Sequence, residues 1–175
     1  MFIDGNNLFN GADEEKIRVD YPKLSKFLSK GYNLIRVYYY IGLPNKSVWD
    51  KNYEPWEEFS KKLDKQIKFL DSLQFKYHFH VVTRPLVLID SKRKEKGIDV
   101  NIACDVIWHG LSNNYDTFVL ISGDKDLLEA IVRMKDCGKK VIVANFEKNM
   151  SRDVMKLCDE YVNLSQHKDK IKFEG

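Results

Sequence analysis

Apolar positions along this chain switch between short β-type runs and stretches of helical spacing. Phe2-Ile3 is a short apolar strand that ends on Asp4. Asp20 is placed to cap a helix with Pro22 in its first turn, Leu24, Phe27 and Leu28 on one face, and Gly31 as its stop. Residues 33–41 are β-branched and aromatic and predict a strand, and a polar loop from Gly42 to Tyr53 follows. Trp56, Phe59, Leu63, Ile67 and Leu70 then recur at helical spacing, with Lys61, Lys62, Lys65 and Lys68 mostly elsewhere on that helix. Phe75 to Thr83 predicts a further strand that Pro85 breaks, Leu86 to Ile89 a short one, and Asp90 to Lys96 a charged loop.

In the second half the pattern sharpens. Asp99 opens a helix carrying Ile102, Val106, Ile107 and Leu111, and Thr117 to Ile121 is an apolar run of buried-strand length. Asp124 starts a helix with Leu127, Leu128, Ile131 and Met134, stopped at Gly138. Lys140 to Ala144 predicts a strand, Ser151 caps a helix through Leu157, and Tyr161 to Leu164 predicts a last strand. The polar tail from Gln166 is expected to fray. Strands alternating with helices predict an α/β domain, a mainly parallel central sheet covered by helices on both faces.

Composition narrows the setting more than the function. The 175 residues suffice for one domain with a real core, and the net charge of +3 is mildly basic, so contact with a polyanion has to come from local patches. Cys104, Cys137 and Cys158 are odd in number, widely spaced and without a CxxC pair, which points to reduced thiols rather than a disulfide framework or zinc. No run approaches membrane-spanning length, and no basic, then apolar leader opens the chain; the expected location is the cytoplasm. Nothing in the sequence calls for an oligomer.

The chemistry rests on acids at strand ends. Asp4 lies in Phe2-Ile3-Asp4-Gly5-Asn6-Asn7, Asp99 closes Lys96-Gly97-Ile98-Asp99, and Asp124 and Asp126 belong to Ser122-Gly123-Asp124-Lys125-Asp126. A single such aspartate is most simply a helix cap, which satisfies orphan amides and the helix dipole without a ligand. Two strand-terminal copies, with Asp126 in excess of any cap and Asp99 besides, point to carboxylates gathered around a hard cation. Magnesium or manganese suits such oxygen donors and serves phosphodiester hydrolysis. His78, His80 and His109 are remote in sequence from these acids, which disfavours zinc, a histidine-based nuclease and Ser-His-Asp chemistry. An aspartyl-nucleophile phosphatase needs a second acid two residues after the first, where this chain has Asn6. No GxGxxG follows the first strand, which sets aside a Rossmann nucleotide enzyme.

These motifs resemble the NYN domain family, the PIN-like group of metal-dependent ribonucleases, and within it the bacterial LabA-like (DUF88) branch. The likeness is carried by Phe-Ile-Asp-Gly-Asn-Asn, by Lys-Gly-Ile-Asp-Val with Asp105 downstream, and by Ser-Gly-Asp-Lys-Asp ahead of Gly-Lys-Lys-Val-Ile-Val. It runs in order from Met1 to about Leu164, so residues 1–165 are read as one NYN/PIN-like domain and 166–175 as a polar C-terminal tail. The resemblance implies a three-layer α/β/α PIN-like (Rossmannoid) fold with an acidic site at the sheet's carboxyl edge. It implies Asp4, Asp99, Asp124 and Asp126 as Mg²⁺ or Mn²⁺ ligands, with Asn7 orienting Asp4 or a metal-bound water and Ser122 steadying the cluster. Leu127 stands where the family often has an aromatic, and Glu129 where a proline is expected.

Asp105 lies six residues beyond Asp99, about 240° round a helix; it is either a further ligand or a hydrogen-bonded acid behind the site. Lys92, Arg93, Lys94 and Lys96 crowd the loop before Asp99 and are either a solvated run or a hold on an RNA backbone, Lys96 foremost because it matches the Lys of the family's Lys-Gly-x-Asp. Trp49, Tyr53 and Trp56 are more simply packing residues than base-stacking ones. Two functions follow from this reading: a metal-dependent ribonuclease acting on RNA, or a catalytically silent RNA- or protein-binding module of the same fold.

Overall fold

The computed structural model describes residues 1–90 and 92–174. Strand β1 (Phe2–Asp4) leads directly into helix α1 (Gly5–Glu14), followed by α2 (Tyr21–Leu28), β2 (Tyr38–Leu43), α3 (Trp56–Asp71) and β3 (His80–Pro85). Two short strands, β4 (Val87–Ile89) and β5 (Lys92–Lys94), precede α4 (Ile98–Leu111). Then come β6 (Thr117–Ile121), α5 (Leu128–Asp136), β7 (Lys140–Asn145), α6 (Arg152–Leu157), β8 (Glu160–Asn163) and α7 (Lys168–Ile171).

Six strands form one sheet in the order β3-β2-β1-β6-β7-β8, every pair parallel. Each strand sends alternate residues to opposite faces, and both faces are covered. Ile3, Tyr39, Ile121 and Ala144 meet α1, α2 and α7 through Leu8, Leu24 and Ile171, while Phe2, Tyr40, Leu120 and Val143 meet α4 and α5 through Ile102, Val106 and Ile131. This is the three-layer α/β/α arrangement that the alternating pattern predicts. The chain builds outward from β1 to β3, then returns to the other side of β1 and builds outward again. The carboxyl ends of β1 and β6, where the direction reverses, form the switch point at which open α/β sheets place ligands.

Several expectations need correction. Residues 33–37 are not strand; β2 starts at Tyr38, and Leu34 and Ile35 are exposed, so β-branched composition there outran pairing. Residues Ser72–Lys76 extend α3 as a π-helical turn, and β3 begins only at His80; His78 adopts a positive φ in the turn between. The apolar Phe75 is 70% exposed, so its hydrophobicity carried no pairing information. Lys92–Lys94 is not a loop but the second strand of a hairpin, antiparallel to β4. On α3, Phe59 and Leu70 are buried, but Trp56 and Ile67 stay largely exposed.

The tail does not fray. Leu164–His167 forms a 3-10 turn that runs into α7, Ile171 is fully buried, and Lys172 bridges to Val19. The Asp20 amide donates to the Ile171 carbonyl at 2.8 Å and the Phe173 amide to the Arg18 carbonyl at 2.7 Å. One apolar side chain and a few backbone bonds anchor a segment whose polar composition hides them.

Candidate active site

Asp4 ends β1 and caps α1: its Oδ1 accepts the Asn7 amide at 3.0 Å, and its Oδ2 accepts the Ser122 hydroxyl at 3.1 Å. Ser122 lies immediately past β6, beside Asp4, because Ile3 pairs with Ile121. The Ser122 Oγ in turn accepts the Asp124 amide at 3.2 Å. Asp124 caps a 3-10 turn at the head of α5 by accepting the Asp126 amide at 3.0 Å. Asp4 and Asp124 are thus both helix caps. Leu127, where an aromatic is usual, is fully buried in that turn, and Glu129 reaches along α5 to Arg133 at 3.4 Å.

Asp99, in the first turn of α4, faces these residues. One carboxylate oxygen from each of Asp99, Asp124 and Asp126 lies within 4.8 Å of the other two. Among the described residues none of the three is ion-paired to a lysine, arginine or histidine. Burial raises the pKa of Asp99, and the charges of Asp124 and Asp126 raise it further. Asp4 is 4% exposed, and burial pushes its carboxyl up to about 6. The Asn7 amide and Ser122 hydroxyl pull it back, while the charges of Asp99 and Glu95 add to the rise.

The donor set fits a hard divalent cation. Three carboxylates converge without a countercharge and without a histidine or cysteine, the oxygen-only chemistry of magnesium or manganese rather than zinc. Asp4 stands outside the three-carboxylate group: both its oxygens are engaged by protein donors, and the charge of Asp99 reaches it.

The remaining sequence candidates separate. Asn7 turns its side chain away from Asp4: its Oδ1 accepts the Gly123 amide at 3.2 Å and the Asn145 side-chain amide at 2.7 Å, and only its backbone N–H serves Asp4. Asp105 lies outside the three-carboxylate group and accepts the Tyr40 hydroxyl at 2.8 Å. Arg93 is committed to structure: its guanidinium reaches Glu54 at 2.7 Å and the Val48 carbonyl at 3.0 Å, and lies over the Phe59 ring. Lys94 and Lys96 are exposed, Lys94 on the hairpin and Lys96 just ahead of α4. Trp49 and Trp56 pack edge to face, and the Trp49 indole donates to the Glu54 carbonyl at 3.1 Å.

Two participants escaped the sequence reading. Asn145, fully buried at the end of β7, ties Asn7 to the Asn149 carbonyl and accepts the Phe146 amide at 2.9 Å. An asparagine closing an apolar strand was its only mark. Glu95 accepts hydrogen bonds from the Gly42 amide and the Asn6 side chain, and the charge of Asp99 raises its pKa beyond what burial does. It sat unnoticed among lysines. Gly123 is required where it is, since a Cβ there would run into the Asn149 carbonyl and the Asn145 side chain.

With this geometry in place, comparison with known proteins is decisive at one level. The NYN domain family model matches residues 1–165. The chain belongs to the NYN domain family. NYN domains are PIN-like and are in general nucleases, so nucleic acid is the substrate class that the family implies. An uncharacterized protein of Methanocaldococcus jannaschii, MJ0482, is 32% identical over 69 residues, 39% of this chain; the match spans 29% of that protein's length. The crystal structure of VPA0982, a protein of unknown function from Vibrio parahaemolyticus, matches with a TM-score of 0.72 at 20% identity, covering 98% of this chain and 93% of that one. At that identity the likeness establishes the NYN chain's fold. No helix among the described residues is long and apolar enough to cross a membrane.

Proposed function

We propose that this NYN domain is a Mg²⁺- or Mn²⁺-dependent ribonuclease of the LabA-like (DUF88) branch, hydrolysing RNA phosphodiesters in the cytoplasm. The convergence of Asp99, Asp124 and Asp126 at the β1–β6 switch point carries the reading. Those three would hold the cation. When bound, a divalent ion supplies a Lewis acid at the phosphoryl oxygen and a lowered pKa for an attacking water.

The rest is the work of the chain. Ser122 and the Asn7 amide fix the Asp4 carboxylate within electrostatic reach of Asp99, where its negative charge adds to the site's pull on a cation. Asn7 and Asn145 lock the Gly123 loop, and so the position of Asp124, to the end of β1. Lys96, with Lys94 on the hairpin, offers charge to the RNA backbone beside the site; Arg93, bound to Glu54, does not.

The test is cleavage of labelled single-stranded RNA in Mn²⁺, Mg²⁺ or EDTA, with Asp124→Asn alongside. Several kcal/mol of metal-borne stabilisation predicts a loss of about a hundredfold or more in the variant. Mn²⁺ is also expected to raise the melting temperature of the wild type and to do so less for Asp124→Asn, because only the native state presents the site. RNA binding with no metal-dependent cleavage, unaltered by Asp124→Asn, would assign the chain to the silent binding modules instead.

A further inference from the structure

Next to the acidic centre, on the opposite side of Glu95, a cavity of about 750 Å³ opens between α1, α2 and α3 above the β2 strand. It is large enough for a nucleoside-sized group. We propose that this cavity is a base-binding subsite of the acidic centre, taking one unpaired nucleobase of a single-stranded RNA. The proposal rests on the nuclease reading above.

Three observations carry it. The first is continuity. Asn6, Gly42 and Glu95 line the cavity, and the same three are joined by the hydrogen bonds of Glu95, whose carboxylate feels Asp99. Glu95 is thereby shared between the cavity wall and the surroundings of the acidic centre.

The second is the lining. Phe9, one turn along α1 from Asn6, is 59% exposed and stands on the cavity wall. A large ring left in water beside a cavity is a platform for an aromatic guest. Deeper in, Tyr21, Tyr39 and Phe69 pack ring against ring, with centroids 5.2 to 6.0 Å apart. The Tyr21 and Tyr39 hydroxyls face one another at 3.4 Å, and each has that single partner among the described residues. One of the two hydroxyl hydrogens is therefore unused, beside the rings of Phe9, Phe69 and Tyr77 on the cavity wall. A carbonyl or ring nitrogen of a base is an acceptor for it.

The third is charge. Asp13, Asp20 and Glu95 line the cavity beside Arg18 and Arg93, so three carboxylates face two guanidiniums, one of them held by Glu54, and the wall offers a phosphate no net positive charge. Carboxylates also accept from the exocyclic amines that bases carry. Duplex RNA is excluded, since its bases are stacked and paired and its grooves show only their edges. At the far end Phe173 lies under the Arg18 guanidinium at 4.4 Å, so the C-terminal segment closes the cavity.

The experiment uses a short single-stranded oligoribonucleotide of mixed sequence and a set of copies, each lacking one base. Binding is measured in EDTA and cleavage in Mn²⁺, for the wild type, Phe9→Ala and Phe9→Trp. Phe9 is largely exposed, so both variants are expected to fold. One base deletion should weaken wild-type binding about tenfold or more, the worth of one base–aromatic stack. Phe9→Ala should bind the intact RNA that much more weakly and be indifferent to the same deletion, while Phe9→Trp keeps wild-type behaviour. Metal-dependent cleavage together with a Phe9→Ala variant that binds every oligonucleotide as the wild type does overturns the subsite and leaves the nuclease standing. A wild type that neither binds nor cleaves the RNA removes both.

Discussion

Asp4 shows how one residue serves stability and function against each other. Its carboxyl is an α1 cap and is buried, and burial raises its pKa from 3.8 to about 6. Below pH 3.8 the folded and unfolded chains both hold the proton, and Asp4 costs nothing. As pH rises through about 6 the folded state must accept a charge that the unfolded state accepted earlier, so metal-free stability falls across that window and stays lower above it. A shift of that size is worth about 3 kcal/mol. Asp4→Asn keeps an oxygen for the Asn7 amide and removes the charge. It is expected to stabilise the metal-free protein by up to about 3 kcal/mol at neutral pH, with the gain vanishing toward ~pH 4. Urea unfolding in EDTA at the two pH values measures it. The same variant is expected to lose RNA cleavage. Greater stability that persists unchanged at the acidic pH would show that the charge is not the cause. The four aspartates were legible as residues because each follows an apolar run or opens a helical one. Arg93 was read as a substrate contact for a complementary reason: a guanidinium in a basic run gives no hint of the buried Glu54 that holds it, 39 residues earlier.

At the scale of elements, legibility followed burial. Thr117–Ile121 is a strand over the residues expected, and Ser151 and Asp20 cap the helices expected of them. Gly31 and Gly138 take positive φ just past the helices they were expected to stop. These elements bury a face, so their patterns are strict. Leu34, Ile35 and Phe75 misled because these apolar side chains lie at the surface, where no sheet partner constrains them. The β6–α5 connection offers a direct test. Gly123 passes beneath the Asn149 carbonyl, and Gly123→Ala would push a backbone segment aside rather than a flexible side chain. It should cost about 1–3 kcal/mol, as overpacking does, and displace Asp124 from the other acids. Thermal melts and Mn²⁺ titration of the variant read the two effects separately; a wild-type melting temperature with undiminished Mn²⁺ stabilisation would contradict the tight approach.

Across the whole molecule, the two ends of the chain prove interdependent. The segment expected to hang free carries Ile171 into the layer formed by α1 and α2, where it is fully buried. Ile171→Ala is expected to destabilise the domain by about 2–4 kcal/mol, the ordinary cost of emptying a core isoleucine site. Chemical denaturation measures this, and a change within experimental scatter would return the segment to the status of a loose tail. Read alone, the sequence determined the α/β class, most strand and helix positions, and four acids suited to a hard cation. Those properties are local: period, capping and the residue that follows an apolar run are all written within a few positions. Which acids meet was decided only by the parallel pairing of β1 with β6 and by the start of α4. Together these set Asp99, Asp124 and Asp126 in one group and Asp4 against Ser122, and left Asp105 with Tyr40. Asn145, Glu95 and the cavity beside them belong to the same category, because contacts between residues far apart in sequence leave no periodic trace in it.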